Sequence, residues 1–318
     1  MFDNIKILTC GRLAKEFKTE LTSFAEVNKF LIDHLEDFDQ KKIYEYNTIA
    51  SFSFPDNLDI SHIKWIHSFG AGIDKFINRN DLNNNLILTR TVGRMGEKIA
   101  EYCLTHILAH NQHLYEVYES QKLKEWKRLS PVQINDNKIA ILGTGNMGRD
   151  TARLLNKFGC DIIGINSDGR PIDKFSQCYS FEQLAVTERH DQVVAAGLDT
   201  LICTLPAAPG TKNLLTQNFF SQFTDLHFIN VGRGVVVSEE TIISAVENGN
   251  ISRATLDVFV EEPLPSSSKL WDNDRVFITP HQASLTDIND VIESFQSVYD
   301  AIKRNKRNNL FVDLVKGY

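Results

Sequence analysis

The stretch that decides the fold is Lys138-Ile-Ala-Ile-Leu-Gly-Thr-Gly-Asn-Met-Gly148. Its first five residues are a short, apolar, β-branched run, which is typical of a parallel strand covered on both faces, and they lead directly into the pattern GxGxxG. A helical apolar pattern follows, Gly159 ends it, and Asp161-Ile-Ile-Gly-Ile165 supplies a second strand. The segment therefore predicts a complete strand–helix–strand unit.

The three glycines of this unit point to a bound dinucleotide. Gly143 permits a tight turn, Gly145 removes the side chain that would block a pyrophosphate, and Gly148 lets the helix pack closely on the strand. GxGxxG alone is a weak signal, but a strand before it and a helix after it make it a dinucleotide fingerprint. The N–H groups at the start of the helix then face an anion.

The end of the second strand bears on which dinucleotide is bound. A Rossmann unit usually places Asp or Glu about 20 residues after the first glycine, where it holds the ribose 2′-OH. This sequence has Asn166 there, with Ser167 and Arg170 close behind. Asn does not repel a 2′-phosphate and a guanidinium binds one well, so the pattern favours NADP(H). NAD(H), held through Asp168, is the alternative.

Strand-like runs alternate with helical stretches on both sides of this unit, which implies parallel sheets. A long helical pattern covers Glu97–Ser120, and another covers Asp287–Asn305. The remaining predicted strands are Ile5–Leu8, Ile43–Tyr46, Trp65–Ser68, Leu86–Thr89, Thr200–Leu205, His227–Val231, Ala254–Val260 and Val276–Thr279.

We therefore predict an α/β fold with two Rossmann-like domains, each a parallel sheet flanked by helices. Residues 1–96 and 284–318 form the expected substrate domain, and residues 97–283 form an inserted dinucleotide-binding domain. We expect the substrate between the two, where clefts of this kind form.

Composition excludes several other classes of protein. The chain has 318 residues and a net charge of −7, which argues against a general nucleic-acid-binding surface. No apolar run reaches the roughly 18 residues that a membrane span needs, and the N-terminus does not resemble a signal peptide, so we expect a cytoplasmic protein. The five cysteines are scattered without a CxxC pair, which suggests neither disulfides nor zinc.

Three further segments follow the fingerprint in a fixed order, and one precedes it. Together they resemble the D-isomer-specific 2-hydroxyacid dehydrogenase family: Ser68–Asp74, Asn230-Val-Gly-Arg-Gly234, Leu256–Pro265 and Ile278-Thr-Pro-His-Gln-Ala283. The segment Met95-Gly-Glu97 and the pair Asn166-Ser167 resemble the glyoxylate/hydroxypyruvate reductase branch of that family.

The resemblance implies three catalytic residues, each with a chemical reason. Arg233 would anchor the substrate, because a guanidinium binds a carboxylate and a carbonyl in one plane. His281 would exchange the proton, since its pKa lies near working pH. Glu262 would fix the tautomer of His281 and favour its imidazolium form.

The resemblance also implies binding residues and an assembly. Backbone N–H groups of Ala71 and Gly72 would bind the substrate carboxylate, and Asp257 would hold the nicotinamide carboxamide. A homodimer is implied, with Glu97–Arg128 at the contact. The remaining cofactor contacts would come from Thr144, Gly145, Asn146 and Met147 on the pyrophosphate and from Leu205 and Pro206 beside the adenosine.

The activity implied is NAD(P)H-dependent reduction of a small 2-oxo acid, such as glyoxylate or hydroxypyruvate, to the (R)-2-hydroxy acid. A D-lactate or phosphoglycerate dehydrogenase-type enzyme is one alternative, and a non-enzymatic NAD(H)-sensing corepressor-like protein is another.

Three histidines, His106, His110 and His113, share a helical face and could be imagined as metal ligands. Metalloprotease spacing needs Glu directly after the first of them, which this sequence lacks, so no metal site is predicted.

Overall fold

The chain divides into two compact units in a computed structural model that describes residues 5–10, 17–35, 39–77, 79, 82, 85–185 and 197–314. The terminal unit comprises Met1–Met95 and Thr286–Tyr318, and the central unit comprises Gly96–Leu285. Each has its own sheet and its own buried apolar clusters. The predicted α/β architecture with two parallel sheets is confirmed.

The sheet of the terminal unit has five parallel strands in the order β2-β1-β3-β4-β5. Its strands are β1 (Lys6–Cys10), β2 (Leu31–Leu35), β3 (Thr48–Ser51), β4 (Trp65–Ser68) and β5 (Ile87–Arg90). Its first helices are α1 (Lys18–Asn28), α2 (Gln40–Ile43) and α3 (Asp74–Ile77).

The strand predicted at Ile43–Tyr46 is wrong. Ile43 ends α2, and the strand forms afterwards as β3. Both Ile43 and Tyr46 are buried. Two apolar residues three positions apart fit a helix end and turn as well as a strand, so the short pattern did not distinguish them. The edge strand β2 was missed because none of its side chains is fully buried.

The central unit begins with two helices where one was predicted. These are α4 (Met95–Asn111) and α5 (Leu114–Lys122). His113 separates them because its backbone is left-handed, with φ 51°, and its Nε2 lies 3.0 Å from the carbonyl oxygen of Ser130. The apolar pattern continues through this break, so the sequence did not show it.

Seven parallel strands form the sheet of the central unit, in the order β12-β11-β10-β9-β6-β7-β8. They are β6 (Lys138–Leu142), β7 (Asp161–Asn166), β8 (Gln177–Ser180), β9 (Thr200–Cys203), β10 (Leu226–Asn230), β11 (Ile251–Leu256) and β12 (Val276–Ile278). The helices between them are α6 (Asn146–Asn156), α7 (Phe181–Ala185), α8 (Gln217–Phe220) and α9 (Glu239–Glu247).

The last helix, α10 (Ile288–Lys303), belongs to the terminal unit. Asp287 caps its start by accepting the N–H of Asp290, a role for which Asp is strongly preferred. Its apolar stripe is buried, and the ring of Phe295 lies 4.4 Å from that of Trp65, centroid to centroid. The predicted C-terminal helix is thus confirmed.

The fingerprint glycines are placed by close backbone contacts. Gly143 has φ +104°, a conformation that side chains rarely adopt. A Cβ on Gly148 would lie 2.0 Å from the carbonyl oxygen of Gly143, so α6 packs directly on the end of β6. A Cβ on Gly145 would meet no atom within 4 Å, so this side of the turn is open.

The histidines of α4 and the turn after it serve packing. His106 Nδ1 lies 3.0 Å from the hydroxyl of Tyr115, and the His110 ring lies 4.5 Å from that of His227. No group of three metal-binding side chains occurs among the described residues, and no helix there is long and apolar enough to cross a membrane.

The homodimer contact implied for Glu97–Arg128 stays a prediction. Several apolar side chains of α5 and of the residues after it are exposed: Leu114, Val117, Tyr118, Leu123 and Trp126.

We expect Gly148→Ala to lower the free energy of unfolding by about 1–3 kcal/mol, because its Cβ would overlap the Gly143 carbonyl and force α6 away from β6. Gly210→Ala is the matched control, since a Cβ there meets nothing within 4 Å. Urea unfolding followed by circular dichroism measures both. Equal stability of the two variants would contradict the close packing described for Gly148.

Candidate functional site

The site residues predicted in the central unit all lie at, or shortly after, the carboxyl ends of its strands. Because the strands are parallel, these ends share one edge of the sheet. The strand order changes direction at β6, which has β7 on one side and β9 on the other. Such a switch point is where open α/β sheets bind ligands. The loops at this edge are residues 143–148, 166–170, 204–206, 230–234, 257–262 and 279–283.

At the switch point, Thr204 joins the end of β9 to the fingerprint turn. Its hydroxyl lies 3.0 Å from the carbonyl oxygen of Gly143, and the N–H of Gly143 donates to Ile165 at 2.8 Å. The turn is therefore fixed from both neighbouring strands. No motif in the sequence pointed to Thr204. Leu205 and Pro206, the predicted adenosine wall, come directly after it.

Asn166 organises the loop that we expect to choose between NADP(H) and NAD(H). Its Nδ2 donates to the carbonyl oxygen of Arg170 at 3.0 Å, and its Oδ1 accepts the N–H of Gly169 at 2.6 Å. The guanidinium of Arg170 lies 3.8 Å from the carboxylate of Asp168, and both side chains are exposed. An exposed pair of this kind contributes about 0–1 kcal/mol, so Arg170 can exchange it for a phosphate at little cost. Ser167 is exposed on the same loop.

His281 and Glu262 form a hydrogen-bonded pair. His281 Nδ1 lies 2.7 Å from Glu262 Oε2. The hydrogen bond to Glu262 raises the pKa of His281 above its usual 6.5, and the negative charge of Glu262 adds to this, while burial and the positive charge of Arg233 oppose it. The pair therefore favours imidazolium and leaves Nε2 as the ring nitrogen that can serve a substrate.

Glu262 is itself held in place by its second carboxylate oxygen. Oε1 accepts the N–H of Phe259 at 2.9 Å. Burial on its own would raise the pKa of Glu262, but the hydrogen bonds from His281 and Phe259 and the positive charges of His281 and Arg233 outweigh it and leave that pKa lowered. Glu262 is thus ionised at the pH values at which His281 gains or loses its proton.

Arg233 lies on a loop that Asn230 shapes. Asn230 Oδ1 accepts the N–H of Gly232 at 3.1 Å, and its Nδ2 donates to the carbonyl oxygen of Arg233 at 3.3 Å. A Cβ on Gly234 would lie 2.0 Å from the carbonyl carbon of Phe259, so this loop presses against the loop that carries Glu262. Arg233 is near enough to influence the pKa of both Glu262 and His281.

Asp257 anchors the loop of His281. It is 2% exposed, and its Oδ1 accepts the hydroxyl of Thr279 at 2.6 Å and the N–H of Gln282 at 2.8 Å. Oδ2 accepts the N–H of Ala283 at 3.0 Å. Burial raises the pKa of Asp257, although these hydrogen bonds oppose the rise. Its implied contact with a nicotinamide carboxamide stays a prediction.

Ala71 and Gly72 lie in the terminal unit, in the loop after β4. The hydroxyl of Ser68 lies 2.9 Å from the carbonyl oxygen of Gly70 and 3.1 Å from that of Gly72. Arg90 Nη1 reaches the carbonyl oxygen of Ala71 at 3.5 Å. Ser68 and Arg90 thus shape the loop whose N–H groups are expected to bind a carboxylate.

Comparison with known proteins shows which family the chain is similar to. The profile of the family "D-isomer specific 2-hydroxyacid dehydrogenase, NAD binding domain" matches residues 104–283. A protein named glyoxylate/hydroxypyruvate reductase A, from Serratia proteamaculans (strain 568), is 30% identical over 263 residues, which cover 80% of this chain and 82% of that one.

Solved structures share the fold over nearly the whole chain. A D-isomer specific 2-hydroxyacid dehydrogenase from Xanthobacter autotrophicus Py2, in complex with NADPH and MES, matches with a TM-score of 0.87 at 24% identity, covering 99% of this chain and 100% of that one. An NADPH-dependent glyoxylate/hydroxypyruvate reductase from Sinorhizobium meliloti, in complex with NADP and sulfate, matches with the same TM-score, identity and coverage. With the family profile matching more than half of its length, the chain belongs to the D-isomer specific 2-hydroxyacid dehydrogenase family of NAD(P)-dependent oxidoreductases.

Proposed function

We propose that the protein reduces a small 2-oxo acid, glyoxylate or hydroxypyruvate, to the 2-hydroxy acid, of (R) configuration where the product is chiral, with His281 as the acid. The observation that carries this proposal is the pairing of His281 Nδ1 with Glu262 Oε2 at 2.7 Å, which stabilises the imidazolium. The name of the Serratia relative supports the substrate class.

The dinucleotide fits the central unit. The open space beside Gly145, the tight turn at Gly143 and the N-terminus of the 11-residue helix α6 together suit a pyrophosphate. When bound, the reduced nicotinamide supplies the hydride that goes to the carbonyl carbon of the substrate. We assign dinucleotide binding to the central unit and part of substrate binding to the terminal unit.

The protein's own residues then orient the substrate and supply the proton. Arg233 binds the carboxylate and carbonyl of the 2-oxo acid, and the N–H groups of Ala71 and Gly72 bind the carboxylate. As negative charge grows on the carbonyl oxygen, His281 Nε2 gives its proton to that oxygen, and Glu262 stabilises the imidazolium beforehand. In the reverse direction, neutral His281 takes the proton from the hydroxyl.

We further propose that NADP(H) is preferred over NAD(H). Asn166 puts no negative charge next to a 2′-phosphate, and Arg170 and Ser167 are exposed on the same loop. The NADPH and NADP bound in the Xanthobacter and Sinorhizobium structures support the same choice. Arg170 would leave Asp168 and bind the phosphate instead.

The activity and the cofactor preference are tested together by assaying glyoxylate, hydroxypyruvate and pyruvate with NADPH and with NADH. A phosphate contact of about 1.5–3 kcal/mol should raise kcat/KM with NADPH roughly ten- to a hundredfold over NADH. Hydroxypyruvate should yield the (R) product, which chiral chromatography identifies. No turnover of any of the three acids would refute the proposed activity.

The Arg170→Ala variant should lose most of this preference through a higher KM for NADPH, and Asn166→Asp should disfavour NADPH by charge repulsion. Arg275→Ala, which removes an exposed arginine outside the site, is the control. If the kcat/KM of the unmodified protein with NADH equals or exceeds that with NADPH, then Asp168, not Arg170, faces the ribose.

The role of His281 is tested by His281→Ala. Loss of proton delivery should lower kcat for reduction by about 10²–10⁴. NADPH binding, measured by fluorescence titration, should stay near that of the unmodified protein. His62→Ala in the terminal unit is the control. Near-normal turnover of His281→Ala would exclude this histidine as the acid.

A further inference from the structure

His281 has a backbone conformation that needs support. Its φ is 51°, in the left-handed region, which costs a residue with a Cβ about 1–2 kcal/mol. Such conformations persist only where the surroundings hold them. Here the N–H of His281 lies 3.0 Å from the carbonyl oxygens of both Asp257 and Thr279. The next two N–H groups, of Gln282 and Ala283, donate to the carboxylate of Asp257.

The hydroxyl of Thr279 links this loop to helix α4. Thr279 Oγ1 lies 2.6 Å from Asp257 Oδ1 and 2.7 Å from the hydroxyl oxygen of Tyr102. A threonine hydroxyl has one hydrogen, and an ionised carboxylate can only accept, so Thr279 donates to Asp257. The hydroxyl of Tyr102 must therefore donate to Thr279. The two bonds run in one direction, from Tyr102 through Thr279 to Asp257.

We call these two hydrogen bonds, from Tyr102 to Thr279 and from Thr279 to Asp257, the relay. Tyr102 is the end of the relay that lies on helix α4. It lies inside the 17-residue helix α4 and is half-buried, with its ring 4.4 Å from that of His106. Thr279 is 6% exposed and Asp257 is 2% exposed, so water competes little for these bonds. In this protected setting, removing one partner leaves the other without its bond.

We propose that Tyr102 and Thr279 are positioning residues. They act through Asp257 to hold the left-handed backbone of His281, so that its ring stays hydrogen-bonded to Glu262. The inference rests on the proposed role of His281 as the acid. Tyr102 touches neither Glu262 nor His281 in the contacts described, so it acts only through the loop.

The relay is tested with variants that remove one hydroxyl at a time. Tyr102→Phe should lower kcat about 2- to 10-fold, as expected for one lost hydrogen bond, with the KM for NADPH unchanged. Thr279→Val should lower kcat further, and Thr279→Ser should restore it. The double variant Tyr102→Phe/Thr279→Val should match Thr279→Val alone, because both bonds pass through Thr279.

The pH profile separates positioning from a merely structural role. The charged groups that act on His281 are Glu262, Arg233 and Asp257. A looser loop weakens the bond to Glu262, so Tyr102→Phe should move the alkaline limb of reduction to lower pH. Tyr115→Phe is the matched control, since it removes a hydroxyl that pairs with His106 instead. It should keep kcat and the limb unchanged.

Two outcomes would overturn the proposal. One is that Tyr102→Phe and Thr279→Val reduce thermal stability but keep the kcat and the pH limb of the unmodified protein. The other is that Thr279→Val and Thr279→Ser behave alike, a comparison that holds even if Tyr102→Phe does not fold.

Amide hydrogen exchange at Gln282 and Ala283 needs no turnover, so it tests the relay even if the unmodified protein reduces none of the acids. Faster exchange in Tyr102→Phe than in Tyr115→Phe supports the relay, and equal exchange contradicts it.

Discussion

The buried carboxylate of Asp257 is the interaction on which the site depends. It directly follows β11 and accepts three hydrogen bonds from the loop after β12. These bonds join the ends of two neighbouring strands at the edge where the site lies. Because Asp257 is 2% exposed, water competes little for these bonds. They fix the backbone of His281, and this backbone brings its ring to Glu262. The chemistry proposed for the His281 ring thus depends on Asp257, which holds the loop that carries it.

Close backbone packing supplies the second constraint. Gly234 lets the Arg233 loop pack against Phe259, whose N–H donates to Glu262. One backbone contact therefore positions both Arg233 and Glu262. Gly148 likewise lets α6 pack closely on the fingerprint turn. The contact of Gly234 lies between the loops that follow β10 and β11, and the contact of Gly148 lies at the switch point in the sheet. One fixes the proposed catalytic groups and the other fixes the proposed dinucleotide cradle.

Much of this arrangement could be predicted from the sequence, because its signals are local. The apolar run Lys138–Leu142, the glycines after it and the helix that begins near Asp287 were predicted and are found. Features set by distant contacts could not be predicted. The break at His113 is one example, since the His113 ring contacts Ser130. The strand at Thr48–Ser51 was predicted too early in the sequence for a different reason: a short apolar pattern also fits a helix end.

The same distinction holds within the site. The resemblance to the family implied Arg233, Glu262 and His281 as candidates, and the structure brings the last two into contact. The relay through Tyr102 and Thr279 joins residues 177 positions apart, so no local pattern announces it. Asn166 was singled out for its missing charge, but its hydrogen bonds to Gly169 and Arg170 show that it also shapes the loop.

Whether Glu262 keeps a proton on His281 is measured most directly by NMR titration of the His281 imidazole. The structure predicts a midpoint above the usual 6.5, so that the imidazolium persists to higher pH than in a free histidine and is lost as the pH rises through that midpoint. In Glu262→Gln the midpoint should fall, because the negative partner is gone. A midpoint at or below 6.5 in the unmodified protein, or the same midpoint in both proteins, would contradict this role of Glu262.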